Sequence, residues 1–157
     1  LLDTGLPIGA NPAGCADMMT ECAASLAFFY ILHNQPIRLY CPAGEMDCAA
    51  HTMDDFTMMY ADLAVIPFLN HAAAFDTAVL SEAVLGPLRA LHILTYRLSH
   101  ELLEALCPLT AKRCRVTCIV PPNAELTLLA QHARDVDVRL VPILCPEDIA
   151  AKLGDCL

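Results

Sequence analysis

The last third of the chain alternates short apolar runs with amphipathic stretches, and this alternation constrains the fold more than any other feature. Ala90-Leu91-His92-Ile93-Leu94-Thr95 is short and nearly continuous in apolar residues, as expected of a strand buried on both faces. Ser99 then caps a helix through about Lys112, with Glu101 placed near its positive end. Val116-Thr117-Cys118-Ile119-Val120 repeats the strand signal and stops at Pro121-Pro122. Asn123 caps the next helix, whose Leu126, Leu129, Ala130 and Ala133 share one face. Val138 to Leu144 is a further strand, and Pro146 opens a final helix with Glu147 and Asp148 beside it. Strand–helix–strand repeats of this kind build a parallel sheet with helices on its faces. Pro142 has no amide hydrogen to donate, which predicts that the last strand lies at an edge.

The first half carries the same signals less regularly. Leu1-Leu2-Asp3-Thr4 reads as the end of a buried strand, so the chain is expected to be part of a longer protein. Gly5 to Pro12 is a loop dense in Gly and Pro, and Gly14-Cys15 is expected within that first loop. Met19, Cys22, Ala23, Leu26, Ala27 and Tyr30 then form one helical stripe between about Asp17 and His33. Ile37 to Cys41 is a strand closed by Pro42-Ala43-Gly44. Helical patterns follow over Asp54 to about Val65 and over Phe75 to Leu85, the second stopped by Gly86-Pro87.

Composition narrows the class of function. Apolar residues make up 57% of the 157 and charged residues 17%, which excludes a disordered chain. Nine basic against 18 acidic residues give a net charge of −9, so a protein that grips phosphate backbones is excluded and no nucleic-acid partner is expected. The longest uncharged stretches, Cys22 to Ile37 and Leu63 to Phe75, are broken by polar residues and proline, short of the roughly 20 apolar residues of a spanning helix. A cytoplasmic domain is expected, with membrane contact only through segments absent from this chain. The nine cysteines include three pairs with six intervening residues (Cys15/Cys22, Cys41/Cys48 and Cys107/Cys114) and no Cys-x-x-Cys. They read as reduced core thiols rather than a disulfide framework or zinc site. His100-Glu101-Leu102-Leu103-Glu104 falls short of a zinc-protease helix because Glu104 stands where the second His belongs. Met18-Met19 and Met58-Met59 are expected in the core, and Asp54-Asp55, Asp135 and Asp137 on the surface.

The order of these elements and several local strings resemble the von Willebrand factor A domain, and within that superfamily the bacterial DUF58 group. Leu2-Asp3-Thr4-Gly5-Leu6-Pro7 stands where the superfamily carries Asp-x-Ser-x-Ser after its first strand. The helix from Met18 to His33, followed by Pro36-Ile37-Arg38-Leu39, resembles the next passage, and His92-Ile93-Leu94-Thr95-Tyr96 stands where the fourth strand ends in Thr-Asp. The resemblance covers the whole chain as one domain. It implies a doubly wound, mostly parallel six-stranded sheet of order 3-2-1-4-5-6 with helices on both faces. Its third strand would be antiparallel, and Met46 to Ala50 is the candidate.

The resemblance also implies a metal-ion-dependent adhesion site above strands 1 and 4, where open α/β sheets bind ligands. This chain departs from it. Asp3 is kept, but Gly5 and Pro7 replace the two hydroxyl ligands, and Tyr96 stands in the second Asp position. Thr77 matches the second-loop Thr, with Asp76 beside it. Mg²⁺ needs six hard oxygens, so a degenerate site with no tight metal and no cofactor is expected. The function implied is a non-enzymatic protein–protein interaction module that assists a MoxR-type AAA+ ATPase in assembling partner complexes. The alternative is a small hydrolase or transferase on a Rossmann-like sheet with Cys15 as nucleophile, which requires a histidine beside that thiol.

Overall fold

The computed structural model describes residues 1–6, 12–70, 75–81, 85–121, 124–145 and 148–153. In chain order the elements are β1 (Gly5–Leu6), α1 (Pro12–Leu32), β2 (Ile37–Cys41), β3 (Met46–Ala50), α2 (Met53–Leu63) and β4 (Leu69–Asn70). A 3-10 turn (Thr77–Leu80) follows, then β5 (Ala90–Leu94), α3 (His100–Ala111), β6 (Arg115–Val120), α4 (Ala124–Asp135), β7 (Val138–Pro142) and α5 (Asp148–Leu153). The protein is a mixed α/β structure.

The apolar runs of the last third form a three-stranded parallel sheet in the order β5–β6–β7. Its register aligns His92 with Thr117 and Thr117 with Arg139. β7 takes an outer position, as its Pro142 requires. β2 and β3 form an antiparallel hairpin with Ile37 opposite Ala50 and Cys41 opposite Met46. The first residues join these pieces. The Leu2 amide donates to the Tyr40 carbonyl at 2.9 Å, on the β2 side. On the β5 side, Asp3 donates to Leu94 and Leu94 donates to Leu1, both at 2.9 Å. Beyond them β1 pairs in parallel with β4.

Alternation along the strands divides the core in two, because successive side chains point to opposite faces. Leu2, Leu39, Cys41, Leu94, Ile119 and Val141 pack with the apolar stripe of α1 and with Met59 and Leu63 of α2. Leu1, Leu91, Ile93, Val116, Cys118 and Val138 pack instead with Leu102, Leu103 and Leu106 of α3 and with Leu129 and Ala133 of α4. Local chemistry fixes the helix starts. The Ser99 hydroxyl accepts from the Leu102 amide, and Thr52 and Asp55 form a reciprocal capping box.

Several boundaries differ from the sequence reading. Helix α1 begins at Pro12, because a proline ring presets the backbone of a first helical residue, and so Gly14 and Cys15 lie in the helix rather than in the loop. Among the described residues of the Phe75–Leu85 pattern, Leu85 is helical and donates to the Ser81 carbonyl at 3.0 Å, and Thr77–Leu80 is a 3-10 turn. Asp76 caps it through the Ala78 amide, and Ser81 ends it in an extended conformation. β7 stops at Pro142, and the Leu144 amide binds the Asp148 carboxylate at 2.9 Å instead of a neighbouring strand. Met19 and Met59 are core residues, whereas Met58 is 71% exposed. The segment Gly14–Leu32 is long and apolar enough to cross a membrane by length and composition, which the count of uncharged runs missed because Asp17 and Glu21 interrupt it. Its apolar stripe lies against the sheet. The eight described cysteines are free thiols, four of them buried.

Leu106 has no solvent exposure and sits among α3, β5 and β6 side chains. Leu106→Ala is expected to cost about 2–5 kcal/mol of stability, read from the shift in urea midpoint.

Candidate functional site

At the carboxyl end of the Leu1–Thr4 segment, the Asp3 side chain is 3% exposed. Taking a carboxylate out of water is costly unless hydrogen bonds and opposite charge replace the lost hydration. Four donors do so here. The Gly5 amide donates to Oδ1 at 3.0 Å, and the Thr95 hydroxyl donates to Oδ2 at 2.6 Å. Arg97 supplies the other two, Nε to Oδ2 at 2.9 Å and Nη2 to Oδ1. A carboxylate has about four acceptor positions, so this one is saturated.

The arrangement follows from where the sheet places each residue. The Asp3 amide is tied to Leu94, the last residue of β5, and the Thr95 amide donates to Ile119 of β6 at 3.1 Å. Thr95 is therefore held beside Asp3, and its hydroxyl also accepts from the Arg97 amide at 2.9 Å. That bond curls the chain so that the guanidinium returns over the carboxylate in a fork-to-fork pair. Gly5 makes room for it. A Cβ built on Gly5 would lie 2.6 Å from both Nε and Nη2 of Arg97. The absent side chain at position 5 and the guanidinium share one volume.

The residues singled out from the sequence are distributed as follows. Asp3 and Gly5 belong to this cluster. Pro7 lies outside the described residues. Tyr96 points away from Asp3, between Thr95 and Arg97, and packs with the α1 side of the core. Burial, and then a hydrogen bond with Cys15, holds its phenol well above the usual tyrosine range. Thr77 is exposed on the 3-10 turn, where Asp76 spends its carboxylate on the Ala78 amide. Neither is among the described partners of Asp3. Thr95 and Arg97 were not singled out. The signal in the sequence is local: in Thr-x-Arg after an apolar strand, the Thr hydroxyl accepts from the amide two residues on and turns the chain, so that both side chains reach a neighbouring Asp.

No described histidine meets the thiol of Cys15, whose partner is Tyr96. His33 follows the far end of α1 and bonds the Phe29 carbonyl, and His51 precedes the Thr52 cap. His100 and His132 pack against each other, and His92 is bonded to Tyr30. His71 lies outside the described residues. Burial raises the thiols of Cys41, Cys114, Cys48 (to about 11) and Cys118 (to about 12), which keeps them protonated and poorly nucleophilic. Among the described residues no group of three or more His, Cys, Asp or Glu is placed to hold a metal ion.

A second polar pair sits at the opposite end of the sheet. The Tyr30 hydroxyl lies 2.5 Å from His92 Nε2, and His92 Nδ1 has no partner among the described residues. Burial, reinforced by neighbouring positive charge including Arg115, lowers the His92 imidazole to about 4.

No protein-family model, curated protein or solved structure matches the chain.

Arg97→Ala strips the buried Asp3 carboxylate of its counter-charge. A loss of about 3–5 kcal/mol in urea unfolding is expected, with much of it absent when the same change is made in an Asp3→Ala background. For His92, the unfolded imidazole takes up a proton near pH 6.5 and the folded one only near 4. Its contribution to stability is complete above about pH 6.5 and is lost as pH falls toward 4. His92→Phe is therefore expected to make the fall in urea midpoint over that window shallower than in the wild type.

Proposed function

We propose that this chain is a non-enzymatic protein-interaction domain of von Willebrand factor A-like architecture, of the DUF58 kind, in which an internal arginine takes the place of the adhesion-site metal ion. The observation that carries this reading is the saturation of Asp3. Its four acceptor positions are filled by Gly5, Thr95 and Arg97. A divalent ion at this carboxylate would have to displace a charge-assisted, two-point guanidinium contact. It would then find no side-chain oxygen at Gly5.

The six-stranded sheet of order 3-2-1-4-5-6 belongs to the same proposal. In it β3 and β2 are followed by the Leu1–Leu6 segment and then by β5, β6 and β7. The hydrogen bonds from the first three residues to Tyr40 and to Leu94 support that continuity, and the antiparallel pairing of β3 fits the third-strand position. Asp3 and Thr95 would then flank the switch point, where connections leave toward opposite faces. Fixed by an ion pair rather than by a metal, this crest serves as a docking surface for protein. Leu144, 70% exposed just past β7, and Val65, 79% exposed just past α2, are apolar positions of the kind that such contacts bury. The partner in this reading is a MoxR-type AAA+ ATPase, which the domain assists in assembling larger complexes. The chain acts without metal or cofactor chemistry of its own.

Two measurements test the proposal. Calorimetric titration of Mn²⁺ into the isolated domain is expected to show no saturable binding below millimolar concentrations. Tight binding abolished by Asp3→Ala would overturn the arginine-for-metal reading. Mixing the domain with the MoxR-type ATPase of the same genome is expected to give a complex on size-exclusion chromatography, weakened by Leu144→Asp. No complex at micromolar concentrations would overturn the partner assignment.

A further inference from the structure

The chain has nine cationic Lys and Arg side chains against 18 carboxylates, yet four of the nine line a single cleft at the amino ends of β5, β6 and β7. The cleft has a volume of about 710 Å³, within the range of small-molecule sites. Its arginines arrive from four separate places. Arg113 precedes β6 in a left-handed backbone conformation (φ 65°), and Arg115 is the first residue of β6. Arg134 lies in the last turn of α4, and Arg139 projects from β7. The register puts Arg139 in one row with Thr117 and His92 across the three parallel strands, so these side chains share a face. All three line the cleft.

Gathering like charges into a concavity raises the free energy of the empty protein. Arg134 donates to the Gln131 side-chain oxygen at 3.4 Å, and Arg139 donates to the Lys152 carbonyl at 2.8 Å. Both acceptors are neutral, so these bonds orient the guanidinium groups without cancelling their charge. Asp137 is the one carboxylate among the described lining residues. Guanidinium forks match the oxygens of a phosphate group, and a pair of linked phosphates spans more than one fork. An extended polyanion is a poor occupant, since it would run out over the surface of a protein with net charge −9. A compact anion stays within the roughly 8–10 Å over which the arginines act unscreened.

We propose that this cleft binds a small molecule carrying a diphosphate group, held by Arg113, Arg115, Arg134 and Arg139. The site is separate from Asp3 and does not depend on the reading given to that residue.

The test is isothermal titration of inorganic pyrophosphate, orthophosphate and ADP into the wild-type chain, and of pyrophosphate into variants. Pyrophosphate or ADP is expected to bind saturably at one site and at least about tenfold more tightly than orthophosphate. Tighter binding of ADP than of pyrophosphate would identify a nucleotide as the source of the diphosphate, and the reverse would identify the free anion. Arg113→Ala/Arg139→Ala is expected to weaken binding by at least about tenfold, because each charge-assisted contact removed is worth that much or more. Arg134→Gln, an exposed change that keeps a hydrogen-bonding side chain, is expected to weaken it in the same direction. Arg38→Ala, whose arginine pairs with Asp47 on the hairpin, serves as the control and leaves binding unchanged. Absence of saturable binding by both pyrophosphate and ADP would overturn the proposal. So would folded Arg113→Ala/Arg139→Ala and Arg134→Gln proteins that bind as the wild type does, or a loss in Arg38→Ala equal to theirs.

Discussion

A carboxylate held away from water must be met by positive charge or give up its own, and the upper edge of this protein is organised around that requirement at Asp3. The Leu94 carbonyl fixes the Asp3 backbone, the Ile119 carbonyl fixes Thr95, and the Thr95 hydroxyl turns the chain so that Arg97 comes back over the acid. Three strands thus contribute to a contact made by two side chains. The pair ties the first residues of the chain to the segment after β5, which is more than ninety positions away in sequence. Contacts of such long sequence separation carry a high entropic cost in folding, and here the ion pair meets it together with the backbone bonds of Leu1–Asp3 and the burial of Leu1 and Leu2.

The two ends of the sheet treat positive charge in opposite ways. At the carboxyl ends a single arginine is buried to 17% side-chain exposure against an acid and is fully committed. At the amino ends four arginines stand exposed around a cleft with one acid among its described lining residues. The same residue type therefore acts as an internal counter-ion in one place and as ligand-binding potential in the other. Burial and the proximity of carboxylates decide which.

Much of the architecture was legible in the sequence where burial is two-sided. Val116–Val120 and Ala90–Leu94 are nearly all apolar because helices cover both their faces, and they emerged as the paired strands β5 and β6. Pro142 marked the outer strand correctly because a missing amide hydrogen is a local property that tertiary context does not restore. Met46–Ala50 forms the antiparallel partner of β2. Where a local interaction outweighed periodicity, the reading went astray. Pro12 begins α1 earlier than its apolar stripe suggests, and Asp76 and Ser81 bound a 3-10 turn inside the Phe75–Leu85 pattern. The candidate site was legible only in part. Asp3 stands out through the resemblance of Asp3-Thr4-Gly5-Leu6-Pro7 to an Asp-x-Ser-x-Ser passage. Tyr96 occupies the ligand position that the resemblance implies, whereas Thr95 and Arg97 on either side of it reach the acid because the Thr95 hydroxyl accepts from the Arg97 amide and bends the chain between them.

Gly5 and Arg97 exclude one another's alternatives. A side chain larger than hydrogen at position 5 intrudes on the guanidinium, and a smaller residue at position 97 leaves an anion without its counter-ion. Each change is harmful alone, and making both removes the clash but still leaves Asp3 without its counter-ion. Selection therefore acts on three codons at once, those of Asp3, Gly5 and Arg97. Descendants of this chain would keep all three residues, or lose the acid before the arginine and the arginine before the glycine, so the order of substitutions is constrained as well as their identity.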